Sequence, residues 1–334
     1  MTELRPPVFT TPYPDSARPT LLAANGMYLL AGAGLVLLTL FAPNVVSVLR
    51  ALLPAITQVQ FQLAVDAILY PVFFLLPVAL FMARRGGAAM RLSGVGVGIT
   101  VLCLAMGLAS AYLGLNLSAL WVMFLNAVGV PVTRTSISIS SQSELIAGVF
   151  VIAIIPGIFE ELLFRGPILS AYERGGSRRA ILVSAILFAM LHGSLEGLPV
   201  QFMMGVVLGF VVVSTGSIYA GMMIHTTYNA AYVLISYLVR GAAGEAGGGV
   251  AELYQNFSAL SLAIGLLFDG IVALGIVLLF ARFFARYRRR NGIGAFPRAS
   301  LGWGAGEAVV LISGVVTALF LYANNIFGIL EYFS

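Results

Sequence analysis

The sequence predicts an all-α fold: a polytopic membrane helix bundle of about eight or nine transmembrane helices with a buried polar active site. Three observations predict it. First, 60% of the 334 residues are hydrophobic and only 9% are charged, against about 25% charged in soluble globular chains; the mean hydropathy is +1.00. Second, nine apolar runs approach or exceed the roughly 20 residues that a span needs. Third, the run Ile152–Glu173 holds Glu160, Glu161 and Arg165 within six residues. An ionisable side chain at the bilayer centre costs roughly 2.5–3.5 kcal/mol on insertion scales, and such residues default to a functional reading.

The elements follow in order. Residues 1–20 are polar and carry five prolines, without the apolar core and cleavage site of a signal peptide; they read as a cytoplasmic arm. Spans are expected over Leu21–Leu49, Phe61–Met82, Val95–Val130, Leu145–Tyr172, Arg179–Leu191, Leu198–Ser214, Ile218–Val239, Leu260–Phe284 and Glu307–Leu330. The first and third runs are long enough to tilt or to include an interfacial helix. The fifth and sixth are short, as for helices enclosed by neighbours. By function the chain divides into N-terminal spans (21–142), a catalytic core (143–240) and C-terminal spans (241–334). Gly241–Gly249 reads as a flexible outer loop.

Charge sets the orientation. All 18 basic residues are arginine. With the N-terminus in the cytoplasm, the inner loops hold Arg84, Arg85, Arg91, Arg174, Arg178, Arg179 and the run from Arg282 to Arg298. The outer loops hold Arg50, Arg134 and Arg240 beside Glu144, Glu196, Glu245 and Glu252. Nine spans with the N-terminus inside satisfy the positive-inside rule. The net charge of +5 is accounted for by these loops and calls for no nucleic-acid partner. A single cysteine, Cys103, excludes an internal disulfide framework and a thiolate metal cluster. No internal repeat is visible, which disfavours an inverted-repeat transporter.

Three helices carry the chemistry. Glu160, Glu161 and Arg165 lie on the first, Phe188 and His192 on the next, and His225 and Asn229 two spans later. Each of the last two pairs is spaced i, i+4 and shares a helix face. At 1.5 Å per residue, Glu160, His192, His225 and Asn229 fall about 12 to 21 Å from the inner boundary, which permits one site. Glu161 and Arg165 are i, i+4 with the acid N-terminal, the favourable ion-pair order, and read as a structural pair. Glu160 points about 100° away and is left as a general base that activates water. His192 holds or shares that water. His225 and Asn229 donate from one face to a developing oxyanion. Blander readings stand beside these. His192 and His225 could be hydrogen-bonded core histidines, Asn229 interhelical glue, and Phe188 packing. Asp269 reads as capping or interhelical pairing, and Asp66 has no assigned role. Arg286–Arg290 reads as a stop-transfer or headgroup patch.

The patterns E-E-x-x-x-R at Glu160–Arg165, F-x-x-x-H at Phe188–His192 and H-x-x-x-N at His225–Asn229 resemble the three motifs of the CPBP family. That family comprises CAAX proteases and bacteriocin-processing proteins, including the type II CAAX prenyl protease. The likeness covers roughly Leu145 to Tyr237. It implies an intramembrane endopeptidase in which Glu160 and His192 activate water and His225 and Asn229 form the oxyanion site. It also implies a peptide or protein substrate, including prenylated CAAX-type tails, at the lipid bilayer. A multi-pass protein of a bacterial cell membrane is expected. No cofactor is expected; zinc on two histidines and a glutamate is the alternative, disfavoured by the lack of an H-E-x-x-H helix. A catalytically silent chaperone or immunity-type partner and a proton-coupled transporter are the readings from other classes.

Overall fold

The structure is a computed structural model that describes residues 19–53, 57–85, 90–130, 139, 141–243, 258–293 and 304–333. It is all-α. The helices are α1 (Leu21–Leu52), α2 (Gln58–Arg85), α3 (Val97–Ala127), α4 (Gln142–Gly175), α5 (Ser177–Leu191), α6 (Leu198–Thr215), α7 (Ile218–Ala243), α8 (Ala259–Arg290) and α9 (Ala305–Phe333). Arm residues 1–18, Gly244–Gly249, Arg134, Glu245, Glu252 and Arg298 lie outside the described residues. Gly241, expected to open a loop, instead lies in the last turn of α7.

Among the described residues seven helices are long and apolar enough to cross a membrane. The expectation of eight or nine spans is therefore met only in part, and the two exceptions have separate causes. Helix α5 has 15 residues, about 22 Å at 1.5 Å per residue, short of the roughly 30 Å hydrocarbon core. Helix α7 has 26 residues, but His225, Thr226, Thr227 and Asn229 dilute its apolar character. The protein is a multi-pass integral membrane protein with a buried polar cluster at its centre.

Helices pack through small residues, as expected where lipid competes for apolar surface. Helix α5 lies against α6, and α3 against α7 and α8. At the α5–α6 contact a Cβ on Gly205 would come within 2.7 Å of Ala185 Cα. Helix α1 covers the other flank, packed between α2 and α9.

One end of the bundle gathers arginine-bearing loops. Arg91 pairs with Glu173 at the end of α4, both buried. The Ile218 N–H donates to the Arg91 carbonyl at 3.0 Å, and Leu92 bridges Ser217. Arg288 of α8 interacts electrostatically with Glu173 and Arg91. The loops assigned to one side by charge thus meet at one end of the fold.

Helix α4 is not a uniform α-helix. Its first part, Gln142–Gly148, gives way to a π-helical turn at Val149–Ile154. The segment Ile155–Leu163 is α-helical, and a second π turn follows at Phe164–Ile168. π turns inside α-helices widen the backbone by one residue and concentrate at functional sites. Here they bracket the segment with Glu160 and Glu161.

Candidate active site

The site assembles where α4, α5 and α7 face one another, with α2 closing the fourth side. Glu160 is 2% exposed and Glu161 is fully buried. Their environments differ completely. Glu161 Oε1 lies 3.1 Å from Arg165 Nη1 and 3.1 Å from His225 Nδ1. Among the described residues Glu160 forms no ion pair with an arginine; Arg165 reaches it only through longer-range electrostatics. The Tyr70 hydroxyl of α2 donates to its Oε1, and its Oε2 has no hydrogen-bond partner among the described residues.

That oxygen faces both histidines. His192 Nε2 stands 3.9 Å away and His225 Nε2 4.0 Å away. Both distances exceed a direct hydrogen bond and match what one bridging water spans. The opposite ring nitrogens are fixed by acceptors. His192 Nδ1 is 2.8 Å from the Phe188 carbonyl, and His225 Nδ1 abuts the Glu161 carboxylate. Neither acceptor can donate, so each Nδ1 carries the hydrogen and each Nε2 is directed at Glu160. A partner that fixes the tautomer of a histidine in this way is how its active nitrogen is chosen.

Local backbone chemistry places these groups. Helix α5 stops at His192, where Gly193 takes a left-handed φ of +60°; glycine is the ordinary residue at such a C-terminal turn. His192 therefore sits on the last turn and keeps 28% of its side chain accessible. Pro156 has no N–H to return to the carbonyl of Ile152 four residues earlier. Asn229 Nδ2 donates to that carbonyl at 3.0 Å, which ties α7 to α4 at the site. Gly221 on α7 lets Glu161 approach: a Cβ there would lie 2.6 Å from Glu161 Oε2.

Phe188 is the platform of the cluster. It is buried, edge-on to His225 with centroids 5.7 Å apart and tilted against His192 at 4.7 Å. The Arg165 guanidinium lies 4.5 Å from its centroid, a cation–π arrangement. Arg165 is fully buried and also donates to the Gly205 carbonyl at 3.3 Å. The sequence reading of Glu161 and Arg165 as an ion pair agrees with this geometry, but the pair also holds His225.

Two cavities meet at Glu160. The larger, about 440 Å³, is lined by Asp66, Pro156, His225, Tyr228 and Asn229 among others. The smaller, about 260 Å³, is walled by Leu35, Thr39, Phe74, Leu191 and Leu321. Tyr70, Glu160 and His192 line both. All four proposed chemical groups, Glu160, His192, His225 and Asn229, therefore border one space.

Tyr70 and Asp66 were not visible as site residues in the sequence. They lie on α2, about 90 positions from Glu160, and no motif spacing links them to it. The available signal was weak: a lone carboxylate followed one helical turn later by Tyr70 and Pro71. Asp269, expected in capping or interhelical pairing, is instead exposed on α8 and has no hydrogen-bond partner among the described residues. Among those residues no group of three His, Cys, Asp or Glu side chains is arranged to hold a metal, which weakens the zinc reading.

Residues 142–231 match the family described as type II CAAX prenyl endopeptidase Rce1-like. The matched segment runs from the start of α4 into α7 and contains the three motifs. The match covers 90 of the 334 residues and is a likeness of that stretch to the family. No curated protein and no solved structure matches the chain.

Proposed function

We propose that this protein is an intramembrane endopeptidase that hydrolyses peptide bonds of membrane-associated substrates through a water activated by Glu160 and His192. The observation that carries the reading is the convergence of two Nε2 atoms on one unpartnered carboxylate oxygen of Glu160.

The steps follow from the donors and acceptors. A water between Glu160 Oε2 and His192 Nε2 gives its proton to the carboxylate as its oxygen attacks the scissile carbonyl carbon. The carbonyl oxygen becomes an oxyanion. Asn229 has a second N–H beyond the one given to Ile152, and this N–H donates to the oxyanion. His225 lies one turn away on the same helix face and, with its ring held by Glu161, borders the same space beside the oxyanion. Collapse of the intermediate breaks the C–N bond, and Glu160 passes its proton to the departing amine. Donors aimed at developing charge in a water-poor site account for a large share of such rate enhancement.

Within this reading the N-terminus lies in the cytoplasm and the arginine-rich end of the bundle faces inward, as the loop charges favour. The substrate enters from the bilayer, and prenylated CAAX-type tails are one candidate class. The test uses purified protein and quenched fluorescent peptides, prenylated and unprenylated, with and without a zinc chelator. Cleavage lost in both Glu160→Ala and His192→Ala, yet indifferent to chelator, is expected. Loss on chelation restored by zinc would move the site to metal catalysis. Cellular function that survives Glu160→Ala would support a silent partner instead.

A further inference from the structure

The larger cavity carries a charge that water activation does not use. Asp66 is the only charged residue between Gln58 and Ala83 of α2. A carboxylate within a span is costly to keep. Gln62 Nε2 donates to its Oδ1 at 2.9 Å, which fixes the group while engaging one oxygen only. Asp66 is half-buried and borders the cavity. It precedes Tyr70 by four residues, so the two share a face of α2. Tyr70 in turn touches Glu160.

The electrostatics of the cavity are one-sided. Its charged and imidazole groups are Asp66, Glu160, His192 and His225, and no arginine lines it among the described residues. Low-dielectric walls concentrate such a field and favour the opposite charge. The four residues from Asp66 to Tyr70 rise about 6 Å along the helix, and an extended peptide advances about 3.3 Å per residue. A group seated on Asp66 therefore lies about two residues from a bond seated at Glu160.

We infer that Asp66 is a specificity-determining residue whose carboxylate receives the cationic side chain of an arginine or lysine about two residues from the scissile bond. The inference rests on the proteolytic reading and names the substrate class for that site. The same charge disfavours an acidic side chain at that subsite.

Peptide binding tests it independently of cleavage. Labelled decapeptides carrying arginine, norleucine or glutamate at one scanned position would be titrated into the full chain with Glu160→Gln, which blocks turnover. The comparison adds Asp66→Asn, which retains an acceptor for Gln62, and Asp66→Glu, which retains the charge. At one position the arginine peptide is expected to bind about tenfold more tightly than the norleucine peptide, and the glutamate peptide more weakly than both. The ratio should fall toward one with Asp66→Asn and persist with Asp66→Glu. Equal ratios in all three proteins, or no peptide bound by any of them, would overturn the inference. The proteolytic reading fails separately, if wild type leaves every bound peptide uncut while the charge preference remains.

Discussion

Helices α6 and α8 read alike as apolar spans, yet they occupy opposite regimes. The most apolar window of α6 is 61% buried within the protein, that of α8 only 11%. The inner region, α4 to α7, spends its polar residues on one another. Arg165, Glu161, His225 and Glu160 form a chain of contacts no longer than 4.0 Å. In the outer region Asp269 is exposed, without such a partner among the described residues. The difference teaches that charge within a span is kept either by a network of opposite and polar partners or by surroundings that tolerate it. Only the first constrains geometry tightly enough for chemistry.

Substitutions can break or sharpen this contrast. The largest effect is expected for Glu160→Gln, which keeps the shape and the Tyr70 contact while removing the base. Peptide hydrolysis should fall by roughly 10²–10⁴-fold, with the melting temperature close to wild type. A comparable loss of stability would mean that Glu160 belongs to the structural network rather than to the chemistry.

Glu161→Leu should act on stability instead. It strands a fully buried guanidinium, and removal of one partner of a buried pair costs about 3–5 kcal/mol. Chemical denaturation in micelles measures this. Adding Arg165→Met should recover much of the loss without restoring hydrolysis, because His225 Nδ1 still lacks its acceptor. Recovery of both would reduce Glu161 to a partner of Arg165 alone.

Tyr70→Phe comes next. A hydrogen bond to a charged group is worth about 1.5–3 kcal/mol, so kcat should drop about 10- to 100-fold with little change in KM. An unchanged kcat would separate α2 from the site. The smallest effect belongs to the outer region: Asp269→Asn should leave hydrolysis unaltered and stability within about 0.5 kcal/mol. A large effect there would show that α8 has a role the inner region was thought to hold alone.

The sequence was legible where periodicity and chemistry coincide. Runs of apolar residues marked the long helices among the described residues, seven of them long and apolar enough to span a membrane, and i, i+4 spacing placed Phe188 with His192 and His225 with Asn229 on shared faces. It was less legible in two respects. Hydropathy marked α5 as apolar and its shortness marked it as enclosed, yet it still counts among the expected spans, although 15 residues are too few to cross the hydrocarbon core. Spacing could not reach across the chain. The hydrogen bond from Tyr70 to Glu160 and that from Asn229 to the Ile152 carbonyl join helices that meet only through folding. The π turns in α4 likewise have no mark in the apolar pattern.

The two cavities that meet at Glu160 bear on portability. The stretch recognisable at family level spans residues 142–231, and it carries every motif. Yet Tyr70, Phe74, Leu35 and Leu321, which wall the smaller cavity, belong to α1, α2 and α9. A graft of the recognisable stretch onto another membrane scaffold would transfer the glutamates and histidines and leave behind one side of the chamber. The motif is modular as text, whereas the compartment proposed for catalysis belongs to the whole bundle.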